Sequence, residues 1–297
     1  MTSLCVIPTF NEAQTIERVV RSVLTVTDDV DVLVVDDGSP DGTGDIVAGL
    51  AAAEPRLHLL RRPVKDGLGG AYRAGFSWGL LRDYDTFAEM DADLSHDPAD
   101  LPDLLLAARD VDLTIGSRYT DGGSTVGWSR LRRLISRTGN AYVRRALGLP
   151  VGDTTAGFRV FRRAVLEDLP VTALTSSGYC FQIETAYLAW RRGYRLAEVP
   201  VTFREREAGS SKMSARIIAE ALLQVTRWGL AARWDPEPSA PRPMLHAQPA
   251  RADTSVHGGR VVVPSPARRS VVPVVTGRLA PASGVVTEAP RSHDGAS

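Results

Sequence analysis

The stretch DVLVVDDGSPDGT, residues 31–43, decides the fold. Its first part is an apolar run that reads as a strand. Its second part, with Asp36, Asp37, Gly38, Asp41 and Gly42, is made of turn residues. Two readings of that turn stand side by side. It is a strand-to-helix connection with an aspartate as cap, or it is the wall of a nucleotide site where a carboxylate accepts from a base or ribose donor. No GxGxxG or GxxxxGK[ST] follows the first strand, so neither a dinucleotide fold nor a P-loop is supported. KDGLGGAYRAG is glycine-rich but lacks the P-loop spacing.

Outward from this stretch the chain alternates. LCVIP reads as a strand, and TIERVVRSVL puts Ile16, Val19, Val20, Val23 and Leu24 on one helical stripe. A helix around 45–53, the strand LHLL, the helix GGAYRAGFSWGLLR, the strand DTFAEMD, a helix opening at Pro98 and the strand VDLTIGS follow. Strand and helix alternating at this spacing predict an α/β fold, a Rossmann-like, mostly parallel sheet flanked by helices. Ligands of such sheets sit outside the carboxyl ends of the strands. PTFNE, VDDGSPDGT, DADLSH and GSRY all fall there.

Composition sets limits. The 297 residues carry 35 basic and 35 acidic side chains, so no global field selects for nucleic acid, and no nucleic-acid partner is expected. Cys5 and Cys180 show no metal-ligand spacing and read as buried small hydrophobes. MTSLCVIPTFNE lacks the basic and apolar regions of a signal peptide, which predicts a cytoplasmic location. From Pro236 to Ser297 there is no aromatic residue and no lysine, while proline, alanine, serine and arginine recur. That composition predicts a folded domain over 1–234 and a disordered tail over 235–297.

EMDADLSHDP, residues 89–98, concentrates carboxylates in a chain without net charge. Asp91 and Asp93 lie two apart at a strand end, so in extended backbone both project to one side. Clustered carboxylates repel unless a cation joins them, and Mg²⁺ is commonly held by one or two carboxylates with substrate phosphates. An N-terminal cap for the helix at Pro98 explains Asp97, not this pair. His96, without histidine partners, reads as a surface residue or a neighbour of the site.

IPTFNE, VVDDGSPDGT, GLGGAYRAGF, MDADLSHDP, IGSRY, GFRVFRR, SGYCFQIE and FREREAGSSK occur in order over residues 3–213. With them the chain resembles the family-2 glycosyltransferases of GT-A fold, and among those the polyprenol (dolichol) phosphate mannose synthases. The resemblance implies inverting, metal-dependent transfer of mannose from GDP-mannose to polyprenyl phosphate, with Mg²⁺ or Mn²⁺. It matches Pro8, Phe10, Glu12, Val35 and Asp37 to the base and ribose pocket. It matches Asp91, Ala92 and Asp93 to the DxD-type segment, with Asp93 and Ser95 at the metal; Ser95 stands where relatives place glutamine. Arg118 and Arg132 match acceptor-phosphate contacts, and Arg206 and Lys212 match basic residues closing over the donor diphosphate. Within the enzyme class, UDP-glucose is the rival donor; outside it, a nucleotide-sugar-binding regulator without turnover is the alternative.

The acceptor implied is a lipid, so attachment matters. SRLRRLISRTGNAYVRRALG interleaves arginine with apolar residues, as a surface helix or one lying on an anionic membrane does. MSARIIAEALLQVTRWGLAARW is apolar but interrupted by Arg216, Glu220, Gln224 and Arg227, so it does not span a bilayer. It either lies in the interface or packs on the domain. The expectation is peripheral association with the inner membrane face, with an integral membrane protein as a further partner.

Overall fold

The computed structural model describes residues 1–169, 174, 178–205, 215–234 and 245–246. Its main sheet contains β1 (Ser3–Thr9), β2 (Val30–Asp36), β3 (Leu57–Arg61), β4 (Thr86–Glu89) and β5 (Leu113–Ser117). A small parallel pair, β6 (Ser124–Val126) with β9 (Thr202–Arg204), stands beside it. β7 (Arg159–Arg162), β8 (Leu196–Pro200) and β10 (Leu245–His246) complete the main sheet, in the order β10-β8-β5-β7-β4-β1-β2-β3. The helices are α1 (Ile16–Val26), α2 (Thr43–Ala51), α3 (Gly67–Leu80), α4 (Leu101–Ala107), α5 (Arg130–Leu147), α6 (Arg163–Asp168), α7 (Tyr179–Arg191) and α8 (Ala215–Trp234).

Alternation along β1 and β2, paired in parallel from Ser3 with Val30 to Thr9 with Asp36, builds a two-faced core. Leu4, Val6, Leu33 and Val35 face one side; Cys5, Ile7, Val32 and Val34 face the other. The predicted stripe of α1 covers the second side, with Ile16, Val19, Val20 and Val23 buried. Helix α3 covers the first so closely that a Cβ on Gly75 would collide with Val6.

The chain switches from one side of β1 to the other between β3 and β4, so a crevice opens at the carboxyl ends of β1 and β4. The sheet is mostly parallel, as expected. Only β7 runs against both neighbours, β4 and β5. After β5 the chain stays on the carboxyl side through β6 and α5 and re-enters from there. The loop before β7 therefore lies at the same edge as the ends of β1, β2, β4 and β5.

Helix α8 packs on α5: Val225 is buried, Tyr142 and Thr226 hydroxyls meet at 2.6 Å, and Gly229 lies against the Ala146 carbonyl. Of the two readings of this helix, packing on the domain is the one observed. Its outer side still exposes Leu222, Leu223 and Leu230, and α5 exposes Leu131, Leu134 and Ile135. No described helix is long and apolar enough to cross a membrane. Within the segment expected as a tail, Leu245–His246 pairs in parallel with β8; the rest of 235–297 lies outside the described residues.

The helix predicted at Pro98 opens as a 3-10 turn, Pro98–Asp100, capped by Asp97, whose Oδ1 accepts from Ala99 N–H at 3.1 Å. Burial pushes the Asp100 carboxyl up from 3.8 to about 6, against the opposing pull of the Thr202 N–H and with Asp97 and Asp103 adding repulsion. The folded state thus binds this proton more tightly than the unfolded one. The stabilisation is full below the unfolded value and is lost as pH rises through the folded one. Between about pH 4 and about pH 7, Asp100→Asn is expected to lose less stability than the parent by about 1 kcal/mol, a figure discounted for solvent screening. Thermal melts of both proteins across that range check it; parallel pH curves would remove Asp100 as the cause.

Candidate active site

A cavity of about 430 Å³ lies at the carboxyl edge of the sheet, and its walls carry chemistry in three zones. At the end of β1 and β2, Pro8, Phe10, Glu12 and Asp37 line it. The two aspartates after β2 divide their work. Asp36 holds the turn, accepting from Thr9 Oγ1 at 2.9 Å and from Ser39 N and Oγ at 3.1 and 2.5 Å. Asp37 faces the cavity, and Arg62 Nη1 lies 2.7 Å from its Oδ1. Burial raises the Asp37 carboxyl above its ordinary value, with Arg62 opposing. The turn connects β2 to α2, with Asp41 Oδ1 accepting from Thr43 N–H at 3.0 Å at the start of that helix, and Asp37 is the aspartate that lines the cavity. Lys65, which no motif singles out, lies with Nζ 3.6 Å over the Phe10 ring.

Val35 is corrected. It was expected in the base pocket, but strand alternation turns its side chain into the fully buried core beneath α3. The residue that reaches the cavity is its neighbour but one, Asp37.

In the second zone Asp91, Ala92 and Asp93 line the cavity together. The turn that presents them is tight: Leu94 has φ 62°, a left-handed conformation uncommon outside glycine. Asp93 Oδ1 accepts from Ser95 N–H, and His96 Nδ1 accepts from Asp91 N–H, each at 3.1 Å. Of the two readings of His96, surface residue or neighbour of the site, the structure shows the second. His96 is buried, lines the cavity, stacks on Phe158 at 5.1 Å and meets Phe203 edge-on at 5.4 Å. Ser95 is corrected too. It is fully buried, its Oγ has no hydrogen-bond partner among the described residues, and it is not part of the cavity wall. The same tight turn carries it inward. Among the described residues no group of three or more His, Cys, Asp or Glu could hold a metal ion unaided. Two cavity-lining carboxylates suit a hard cation that takes its other oxygens from a bound phosphate or water.

The third zone is basic and aromatic. Arg118 is buried and held by Asp153: its N–H donates to Oδ2 at 3.0 Å, Nε to Oδ2 at 2.6 Å and Nη2 to Oδ1 at 2.5 Å. Nη2 also reaches Thr155 Oγ1 at 2.8 Å. Asp153 is itself fixed by β8, where Glu198 accepts from the N–H groups of Gly152 and Asp153 at 2.9 Å each. Arg132 sits in the first turn of α5, which Ser129 caps, and lies 4.1 Å over the Trp128 ring with Nη1 2.9 Å from Glu205. From there the wall becomes apolar, with Ile135 and Val143 of α5 and Ala221, Leu222 and Val225 of α8.

Beneath the acidic zone Arg159 is wholly buried. It donates to the carbonyls of Thr154, Ala156 and Gln182 and to Thr185 Oγ1 at 2.5–3.1 Å. Burial pushes the nearby Glu89 carboxyl up to about 7, opposed by Arg159. Arg206 and Lys212, expected at the donor diphosphate, lie outside the described residues.

A mostly parallel sheet with a carboxylate pair at its switch point and arginines across the cavity has the organisation of a glycosyltransferase of GT-A type. The chain belongs to glycosyl transferase family 2, whose sequence profile matches residues 4–170. It is 51% identical over 235 residues to an undecaprenyl-phosphate mannosyltransferase of Micrococcus luteus, covering 79% of this chain and 97% of that protein. It is 48% identical over 235 residues to a polyprenol monophosphomannose synthase of Mycolicibacterium smegmatis, covering 78% of this chain and 89% of that one. In fold it is similar to the mannosyltransferase PcManGT of Pyrobaculum calidifontis, solved with GDP-Man and Mn²⁺, at TM-score 0.50 and 18% identity over 78% of this chain and 64% of that one.

Proposed function

We propose that this chain transfers mannose from GDP-mannose to polyprenyl phosphate, giving polyprenyl phosphate β-mannose and GDP. The observation that carries the reading is the set of groups lining one cavity: an acidic pair, two arginines and an apolar wall. A metal-bound diphosphate, a lipid phosphate and an isoprenoid chain need those three kinds of surroundings. The two bacterial relatives support both the sugar and the lipid, and PcManGT supports the donor and a divalent cation.

Asp91 and Asp93 would hold Mg²⁺ or Mn²⁺ with the donor diphosphate. The bound cation would offset negative charge as the diphosphate leaves. Glu12 and Asp37 would accept from the base and ribose, against Pro8 and Phe10. The acceptor is already anionic, so no general base is assigned. One of its phosphate oxygens attacks the anomeric carbon as the bond to the diphosphate breaks, which inverts that centre. Arg118 and Arg132 would offset the repulsion between the two anions, as planar guanidinium groups do well. Asp153 fixes the plane of Arg118 beforehand, so little reorganisation is needed when the phosphate arrives. Arg206 and Lys212 would close over the diphosphate.

The exposed leucines of α5 and α8 lie where the apolar wall reaches the surface, with Arg130 and Arg137 on α5. We take this face as the one that rests on the inner leaflet. Leu131→Glu combined with Leu134→Glu is expected to weaken binding to anionic vesicles by about tenfold or more. Flotation measures it, with GDP binding as the fold control; unchanged flotation would move the contact elsewhere, including to an integral membrane partner.

Labelled GDP-mannose and UDP-glucose, each incubated with short polyprenyl phosphate and Mg²⁺ or Mn²⁺, test the function by label in the organic phase. Label from GDP-mannose alone is expected. Label from UDP-glucose alone would replace the donor, and donor binding without any transfer would favour a non-catalytic regulator.

A further inference from the structure

The two arginines of the cavity are held by carboxylates in very different settings. Asp153 grips Arg118 from a wholly buried position. Arg132 instead has Glu205, 54% exposed in its side chain, 2.9 Å from Nη1. Arg132 lines the cavity and Glu205 does not, so the ion pair engages the guanidinium from outside the wall. Glu205 takes up Nη1, and a guanidinium carries five N–H groups, so others remain for a ligand.

The backbone places Glu205 closely. Its N–H donates to the Val126 carbonyl at 3.0 Å and so extends the ladder of β6 and β9 one residue beyond Arg204. Gly127 makes room for it: φ there is 84°, and a Cβ would stand 2.8 Å from the Glu205 Cβ. Two residues apart on one extended segment, Phe203 and Glu205 share a side. Phe203 meets Trp128 edge-on at 5.4 Å, and the Arg132 guanidinium lies 4.1 Å over the Trp128 ring. One short segment therefore backs the ring on which Arg132 rests and supplies the carboxylate beside it. Attraction to a ring's quadrupole keeps a cation over its face without fixing its rotation there. The directed contact with Glu205 does fix it.

We propose that Glu205 is a positioning residue for the acceptor: it sets Arg132 on Trp128 so that the remaining N–H groups meet the acceptor phosphate. The inference rests on the function proposed above, which gives Arg132 that phosphate. Holding the side chain beforehand removes an ordering cost equivalent to about two- to tenfold in affinity.

The test uses the parent, Glu205→Ala and Glu205→Gln, each alone and combined with Arg132→Met. Calorimetry gives the Kd for short polyprenyl phosphate, and initial rates at saturating GDP-mannose give its KM. Glu205→Ala is expected to raise both about two- to tenfold, with GDP-mannose affinity kept within about twofold. Glu205→Gln, whose amide oxygen still accepts from Nη1, should recover most of that loss. In the Arg132→Met background neither change should matter. Tighter acceptor binding by both variants would show that Glu205 only repels the phosphate, and would overturn the proposal. Unchanged acceptor affinity in Glu205→Ala, or no recovery in Glu205→Gln, would overturn it as well. So would an equal loss with Arg132→Met, or acceptor and GDP-mannose weakened alike, since Glu205 would then act through β6 and β9. A parent that binds polyprenyl phosphate but transfers no mannose would refute the function above, while the affinities still judge Glu205; a parent that binds none would overturn both.

Discussion

Replacing Asp93 by alanine is expected to lower mannosyl transfer at least about a thousandfold, and a chelator should do the same to the parent until Mn²⁺ or Mg²⁺ is restored. The expectation follows from what surrounds the carboxylate. Asp93 is only 7% exposed and lines the cavity with Asp91, where the proposed function puts the leaving diphosphate. With few carboxylates there to bind a cation, loss of one leaves Asp91 to compete with water for it. Asp93 Oδ1 also accepts from Ser95 N–H, so alanine could act through the loop instead of the charge. Asp93→Asn separates the two, since its amide carbonyl can still accept that hydrogen bond. Initial rates for the three proteins, with and without chelator, give the answer. An asparagine variant retaining more than about a tenth of the parent's rate would show that the loop, not the carboxylate charge, matters.

What the sequence disclosed and what it hid divide along a physical line. Local periodicity marked β1, β2 and the buried stripe of α1, because those signals are written within a few residues. Asp37, Asp91 and Asp93 were legible for the same reason: charged residues at the end of an apolar strand have few structural uses. Strand direction is not written in alternation, so the antiparallel β7 could not be read from RVF. Val35 and Ser95 failed as site residues because a motif names positions and not the side to which each side chain turns. Asp153 was missed because its partners, Arg118 and Glu198, lie 35 and 45 residues away. Trp128 and Phe203, which flank the Arg118 guanidinium at 5.2 and 5.3 Å, likewise come from separate elements.

Asp153→Ala is expected to destabilise the fold by about 3–5 kcal/mol, because it strands a buried guanidinium. Asp153 and Arg118 are 0% and 6% exposed in their side chains, so water cannot replace the lost carboxylate fully. Thr155 Oγ1 offers Arg118 one remaining acceptor, which sets the lower end of the range. Stability and function should then part company in the double variant Arg118→Met with Asp153→Leu. Removing both charges relieves the desolvation cost that the single change exposes, so most of the lost stability should return. Transfer should stay low, since Arg132 alone is left to meet the acceptor phosphate. Urea melts paired with rates at saturating GDP-mannose measure both. Recovery of transfer along with stability would show that the Arg118–Asp153 pair only holds the loop before β7 against β8, and would leave Arg132 as the acceptor's contact. Loss of both in the double variant would instead place the pair's worth in packing at the cavity wall.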